Sequence, residues 1–120
     1  MERNWDLVRH ILLKLEQLGD TRSVLQPEDV PPYDAESVSY HIRLLSEGGL
    51  IEARCAESKT SEMRCWAFRM TWNGHEFLDR IRDQTVWNQV KSTSRQRGIA
   101  LSFEVIKIAA GAVIGAVMKS

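Results

Sequence analysis

Two rhythms of apolar residues run along this 120-residue chain, one of three to four positions and one of two. Residues 3–18 (RNWDLVRHILLKLEQL) set Trp5, Val8, Leu12 and Leu15 at helical spacing, with Leu7, Ile11 and Leu18 beside them. That spacing predicts an amphipathic helix, and Gly19 is its expected stop. Pro27, Pro31 and Pro32 fix backbone angles in the next stretch and exclude a long helix there. A loop with a short extended piece near Ser23–Leu25 is expected instead. Asp34 suits the N-cap of a helix over roughly 35–47, whose buried stripe is Val38, Ile42 and Leu45, flanked by His41 and Leu44. Gly48 or Gly49 ends it, where a left-handed backbone angle is needed.

The period then changes to two. In LIEARCA, Ile51, Ala53 and Cys55 share one face; in RCWAFRM, Trp66, Phe68 and Met70 do. The polar run ESKTSE between them predicts a hairpin. Thr71 reads as the next N-cap, and Phe77, Leu78, Ile81, Val86, Trp87 and Val90 carry a helical pattern to about 92–95. Gly98 interrupts it, and Ser102 opens a last helix that runs into GAVIGAVM. The expected fold is mainly α within the α+β class: helix, helix, two-stranded hairpin, then two further C-terminal helices. Its expected division is a domain over 1–97 and an apolar C-terminal helix over 98–120. A helix followed by a hairpin and another helix is the winged-helix order, in which a helix enters the major groove of DNA and the hairpin forms a wing.

Three pieces carry a family resemblance: MERNWDLVRHILLKLE, YHIRLLSEGGLIEA, and MTWNGHEFLDRIRDQTVWNQVK followed by LSFEVIK. The helix-to-strand joint VSYHIRLLSEGGLIEA looks like that of winged-helix regulators of the arsenical-repressor and multiple-antibiotic-resistance kinds. Taken over most of its length, the chain resembles the domain of unknown function 2513 family of bacteria and prophages. The TWNGHEFLD…DQTVWN run is the most specific part of the match. The resemblance implies a winged-helix fold and a prokaryotic or phage origin. It implies no activity, because that family has no assigned biochemistry.

Composition changes this picture in one respect. Sixteen Lys and Arg balance sixteen Asp and Glu, so the formal charge is zero, whereas a typical nucleic-acid binder is basic. DNA binding therefore needs a local patch. Residues 1–50 are acid-rich, and 51–98 are mildly basic. On helix 35–47, Ser39, Tyr40 and Arg43 are expected to point outward with Ser37 near the N-terminal end, and to meet phosphates or base edges. Glu36 and Glu47 on the same face oppose that reading. Lys59 at the hairpin tip, with Arg54 and Arg64 on its strands, would reach the backbone or minor groove.

Other chemistry is not indicated. Cys55 and Cys65 lack the company a metal site needs, and strand parity turns Cys65 away from Cys55, so both are expected as small apolar residues with reduced thiols. His10, His41 and His75 have no nucleophile or acid at a catalytic spacing and are expected to be packed or hydrogen-bonded. No enzyme activity, metal or cofactor is expected. The charged N-terminus MERNWDLVRH resembles no signal peptide, so a cytoplasmic location is expected. The uncharged run from Ile108 to Met118 is too short to span a bilayer, and no strongly basic polar face supports peripheral insertion. Ile108, Gly111, Ala112 and Gly115 instead suggest close helix packing, either within the chain or as a homodimer through the last helix. Double-stranded DNA is the first expected partner. An unknown protein, docked through the acidic half or the apolar tail, is the alternative.

Overall fold

The computed structural model describes residues 1–57, 59 and 62–119. They form α1 (Trp5–Glu16), a 3-10 turn (Pro27–Asp29), α2 (Ala35–Glu47), β1 (Ile51–Ala56), β2 (Arg64–Met70), α3 (Trp72–Ile81), α4 (Gln84–Arg97) and α5 (Phe103–Lys119). The fold is mixed α+β and mainly helical, with an antiparallel hairpin between the second and third helices. The chain gathers into two compact units, Met1–Glu76 and Phe77–Ser120.

In the first unit, each α-helix starts where a side chain satisfies an otherwise unpaired helical N–H. The Asn4 side chain accepts from the Leu7 N–H at 3.2 Å, and Asp34 from the Ser37 N–H at 3.0 Å. Leu7, Val8, Ile11, Leu12 and Leu15 of α1 are buried, as are Val38, Ile42 and Leu45 of α2. The extended piece expected near Ser23–Leu25 is present at Leu25, whose N–H and carbonyl both pair with Ala67 of β2. The prolines leave only the 3-10 turn between Leu25 and α2. That turn is closed by the Gln26 N–H donating to Asp29 at 2.8 Å. Gly48 caps α2 and Gly49 takes the left-handed angle, at φ 78°. The Thr71 hydroxyl donates to the Gly49 carbonyl at 2.6 Å and accepts from the Gly74 N–H at 3.1 Å, so Thr71 ties the turn after α2 to the start of α3.

The hairpin corrects the expected strand faces. Ile51 pairs with Met70 and Glu52 with Arg69, but Ala53 pairs with Ala67, so Phe68 is an extra residue on β2. Such a bulge inverts the alternation beyond it. Cys65, Ala67 and Met70 are buried, whereas Trp66 is half-buried and Phe68 is 38% exposed. Cys55 and Cys65 become direct partners and are joined by a disulfide, with Cα atoms 4.1 Å apart. The expectation of two reduced, oppositely directed cysteines is overturned. A single extra residue reverses a parity argument, and nothing in the period of the sequence announces it. Of the expected polar tip, Ser58, Thr60 and Ser61 lie outside the described residues.

In the second unit the single helical pattern expected to about 92–95 is broken in two. Asp83 stops the first run and caps the next, accepting from the Val86 N–H at 3.0 Å. Helix α4 ends at Gly98, in the left-handed region at φ 66°, so the expected boundary at 97/98 falls at a helix cap inside this unit. The rings of Phe77 and Phe103 pack with centroids 4.7 Å apart. Helices α4 and α5 pack on each other, and the Ser94 hydroxyl in α4 bonds to the Ile99 carbonyl in the connection.

Candidate nucleic-acid interface

The outer face of α2 is narrower than the periodicity predicts. Val38, Ile42 and Leu45 mark its inward direction, but α1 and β2 both pack on this helix, so the buried arc widens at its edges. Ser39 is caught at one edge: it is 1% exposed, and its hydroxyl oxygen accepts the Cys65 N–H at 3.1 Å. Ser39 therefore cannot touch DNA, and its place among the outward candidates is corrected. His41 is caught at the other edge, 2% exposed, between two backbone partners. The Asn4 N–H donates to its Nε2 at 2.8 Å, so Nδ1 is the protonated nitrogen and donates to the Ser37 carbonyl at 2.8 Å. Burial holds this imidazole below its usual pKa, and the nearby Arg3 charge adds to that, against the opposing pull of the Ser37 carbonyl.

Three of the α2 candidates stay reachable. Ser37 is half-buried, and its hydroxyl donates to Asp34 at 2.8 Å as part of the helix cap. The two hydrogen bonds from Ser37 hold the Asp34 carboxyl below the usual carboxylate range. Tyr40 is half-buried, its ring edge-on to His41 with centroids 5.6 Å apart. Arg43 is exposed, bonded to Glu47 at 3.2 Å along the same helix, with its guanidinium 3.1 Å from the Met63 sulfur at the foot of β2. The outer strip of α2 and the loop-side end of the hairpin are thus brought together.

The hairpin candidates divide. Arg54 and Lys59 are exposed. Arg64 is engaged by Glu28 at 2.5 Å and by the Gln26 amide oxygen at 2.8 Å. That contact fastens β2 to the 3-10 turn, pulling Glu28 below and pushing Arg64 above their usual pKa values. Arg69 on the opposite end of β2 pairs with Glu52 at 2.7 Å. These exposed pairs add little stability, because solvent screens them, but each places a carboxylate beside a cation that DNA would need. The first unit carries thirteen acidic residues against nine basic ones; the second carries three against seven.

Of the expected packing residues in α5, Ile108 is 71% exposed, and a side chain at Gly111 or Gly115 would meet nothing within 4 Å in this chain. Ile108 and Ala112, with Arg97, line a mostly apolar cavity of about 540 Å³ between α4 and α5. Among the described residues, no helix is long and apolar enough to cross a membrane, and no group of His, Cys, Asp or Glu is placed to hold a metal ion.

One position in the specific TWNGHEFLD run has a role that its helical spacing does not show. A β-carbon at Gly74 would lie 2.0 Å from the Leu50 carbonyl oxygen, so only glycine lets α3 begin against the start of β1. The signal was a glycine inside a helical pattern, which is worth suspecting as a close approach.

Comparison with known proteins adds a lineage and no activity. A family model described as "Hypothetical protein (DUF2513)" matches residues 2–100. An "Uncharacterized protein" of Haemophilus influenzae (strain ATCC 51907 / DSM 11121 / KW20 / Rd) is 47% identical over 114 residues, which is 95% of this chain and 96% of that one. No solved structure matches.

Proposed function

The chain belongs to the DUF2513 family, and from its own geometry we propose that its first unit is a winged-helix head that binds double-stranded DNA in a prokaryotic or phage transcriptional regulator. Helix α1, the Leu25 bridge, the 3-10 turn, α2, β1 and β2 follow one another in the winged-helix order, with the helix before the reading helix reduced to one turn. The observation that carries the reading is the contact of Arg43 with Met63. It joins the α2 strip to the loop-side end of the hairpin, and in this reading Tyr40 and Arg43 on the helix and Arg54 and Lys59 on the hairpin are the residues that meet DNA. In this reading Arg43 exchanges Glu47 for a phosphate or a guanine edge, while Ser37 and Arg64 position their elements. The protein works in the cytoplasm, without catalysis, as a homodimer joined through α5.

A second reading is favoured by one observation, the excess of acidic residues in the first unit. It keeps the scaffold and gives it a cationic protein partner in place of DNA.

Fluorescence anisotropy with random-sequence duplex DNA separates the two. Binding at low salt that weakens steeply as salt rises is expected, and Arg54→Ala or Lys59→Ala should each lower the salt slope by about one. Arg43→Ala should weaken binding by roughly tenfold, the loss expected of one charged contact. Absence of binding at low salt eliminates the DNA reading. An unchanged Kd for Arg43→Ala would mean that another face is used.

A further inference from the structure

The cysteine pair has no role in the reading above, yet it lies within the wing, near the loop-side end of its ladder. Cys55 and Cys65 stand opposite each other, and their sequence neighbours are Arg54 and Arg64. The bridge lies one pair inside the loop-side end of the ladder, which is Ala56 with Arg64. Its two halves have unlike surroundings: Cys55 is exposed and Cys65 is fully buried. The Cys65 N–H donates to the Ser39 hydroxyl inside α2, so β2 is fastened to the helix at the bridged residue itself. A closed loop this short constrains the unfolded chain less than a long one would. The bridge therefore acts mainly on the hairpin and on its seat against α2.

We propose that Cys55–Cys65 is a reversible thiol–disulfide switch that stiffens the wing when oxidised and loosens it from α2 when reduced. The reductant class is a dithiol. One of its thiolates attacks the exposed Cys55 sulfur, a new S–S bond forms, and the Cys55–Cys65 bond breaks. Cys65 leaves as a thiolate and takes up a proton in its buried site. The second thiolate of the dithiol attacks the mixed disulfide and releases Cys55, which is protonated in turn. The dithiol departs as a cyclic disulfide, having passed two electrons and two protons to the protein. A small-molecule disulfide such as oxidised glutathione reverses the exchange. In a cytoplasmic protein the pair is reduced at rest, and oxidation is the signal. The switch rests on the DNA-head reading for its output only.

The test uses the full chain in oxidised and dithiothreitol-treated forms, without denaturant. Maleimide labelling counts free thiols, and amide hydrogen exchange is followed in α1, α2, β1 and β2. Two thiols should appear on reduction. Exchange in β1, β2 and the Ser39 turn of α2 should quicken by about tenfold or more, with α1 unchanged. Cys55→Ser should show the faster exchange throughout and ignore dithiothreitol. A bridge that resists dithiothreitol until the protein is unfolded, or exchange that does not change on reduction, overturns the proposal. Duplex DNA affinity is then measured in both forms, with tighter binding expected for the oxidised one. Redox-dependent exchange with no DNA binding in either form leaves the switch standing and removes the DNA reading alone.

Discussion

Ser39 and His41 flank the same apolar stripe and both entered the core, each for a backbone partner that no local pattern names. Ser39 satisfies the Cys65 N–H, a residue 26 positions away. Ser39→Ala is expected to leave that donor unpaired and to cost about 1–3 kcal/mol, read from the urea midpoint. A variant as stable as the parent would show that the contact has no energetic weight. His41 supplies a pH dependence. Its folded pKa lies below the ordinary imidazole value of 6.5, because burial disfavours the charged ring. The neutral ring accepts from Asn4 and donates to Ser37; the charged ring can only donate, which breaks the Asn4 contact at the start of α1. The contribution is therefore fully present above about pH 6.5 and is lost as pH falls from there through the lowered folded value. Urea midpoints at pH 8 and pH 5 should differ, and His41→Gln should reduce the difference. An equal drop in both proteins would assign the acid sensitivity elsewhere. The histidine was legible in sequence as a packed residue. The serine was not, because its angular position lies outside the stripe and only the passage of β2 covers it.

Elements were more legible than faces. The caps at Asp34 and Thr71 and the glycines after α2 and α4 could be read directly, because each acts within three or four residues of its own position. The β-bulge could not. It depends on how β2 registers against β1, and that register is decided where Ile51–Met70 and Cys55–Cys65 both close around the extra Phe68. The break between α3 and α4 was likewise hidden, since the apolar spacing runs on across Asp83 while the cap ends the helix. Gly74 provides the test at this scale. Gly74→Ala forces a methyl group onto the Leu50 carbonyl, with Met70 also close, and should cost about 2 kcal/mol or more in thermal or urea unfolding. A neutral substitution would show that α3 can lift from β1 freely, and would remove the structural reason offered for glycine in that run.

For the molecule as a whole, overall neutrality conceals a division: acidic residues dominate the first compact unit and basic residues the second. Helix α5 is apolar around much of its surface, with Ile108 and Met118 71% and 81% exposed, and a helix of that composition gains from being covered. Light scattering on the purified chain should give twice its 13.7 kDa mass, and Gly115→Leu, which places a bulky side chain where α5 helices would approach closely, should shift it toward monomer. A monomeric parent ends the dimer proposal. The sequence by itself determined the order of elements, most of their ends and the apolar stripes of α1 and α2, because helix periodicity and capping are short-range effects carried by neighbouring residues. Only the tertiary structure decided which side chains remain outside: that Ser39 is covered, that Arg43 and Arg64 are held by carboxylates, and that Cys55 meets Cys65. Those outcomes depend on distant segments meeting in one register, and no local spacing encodes that meeting.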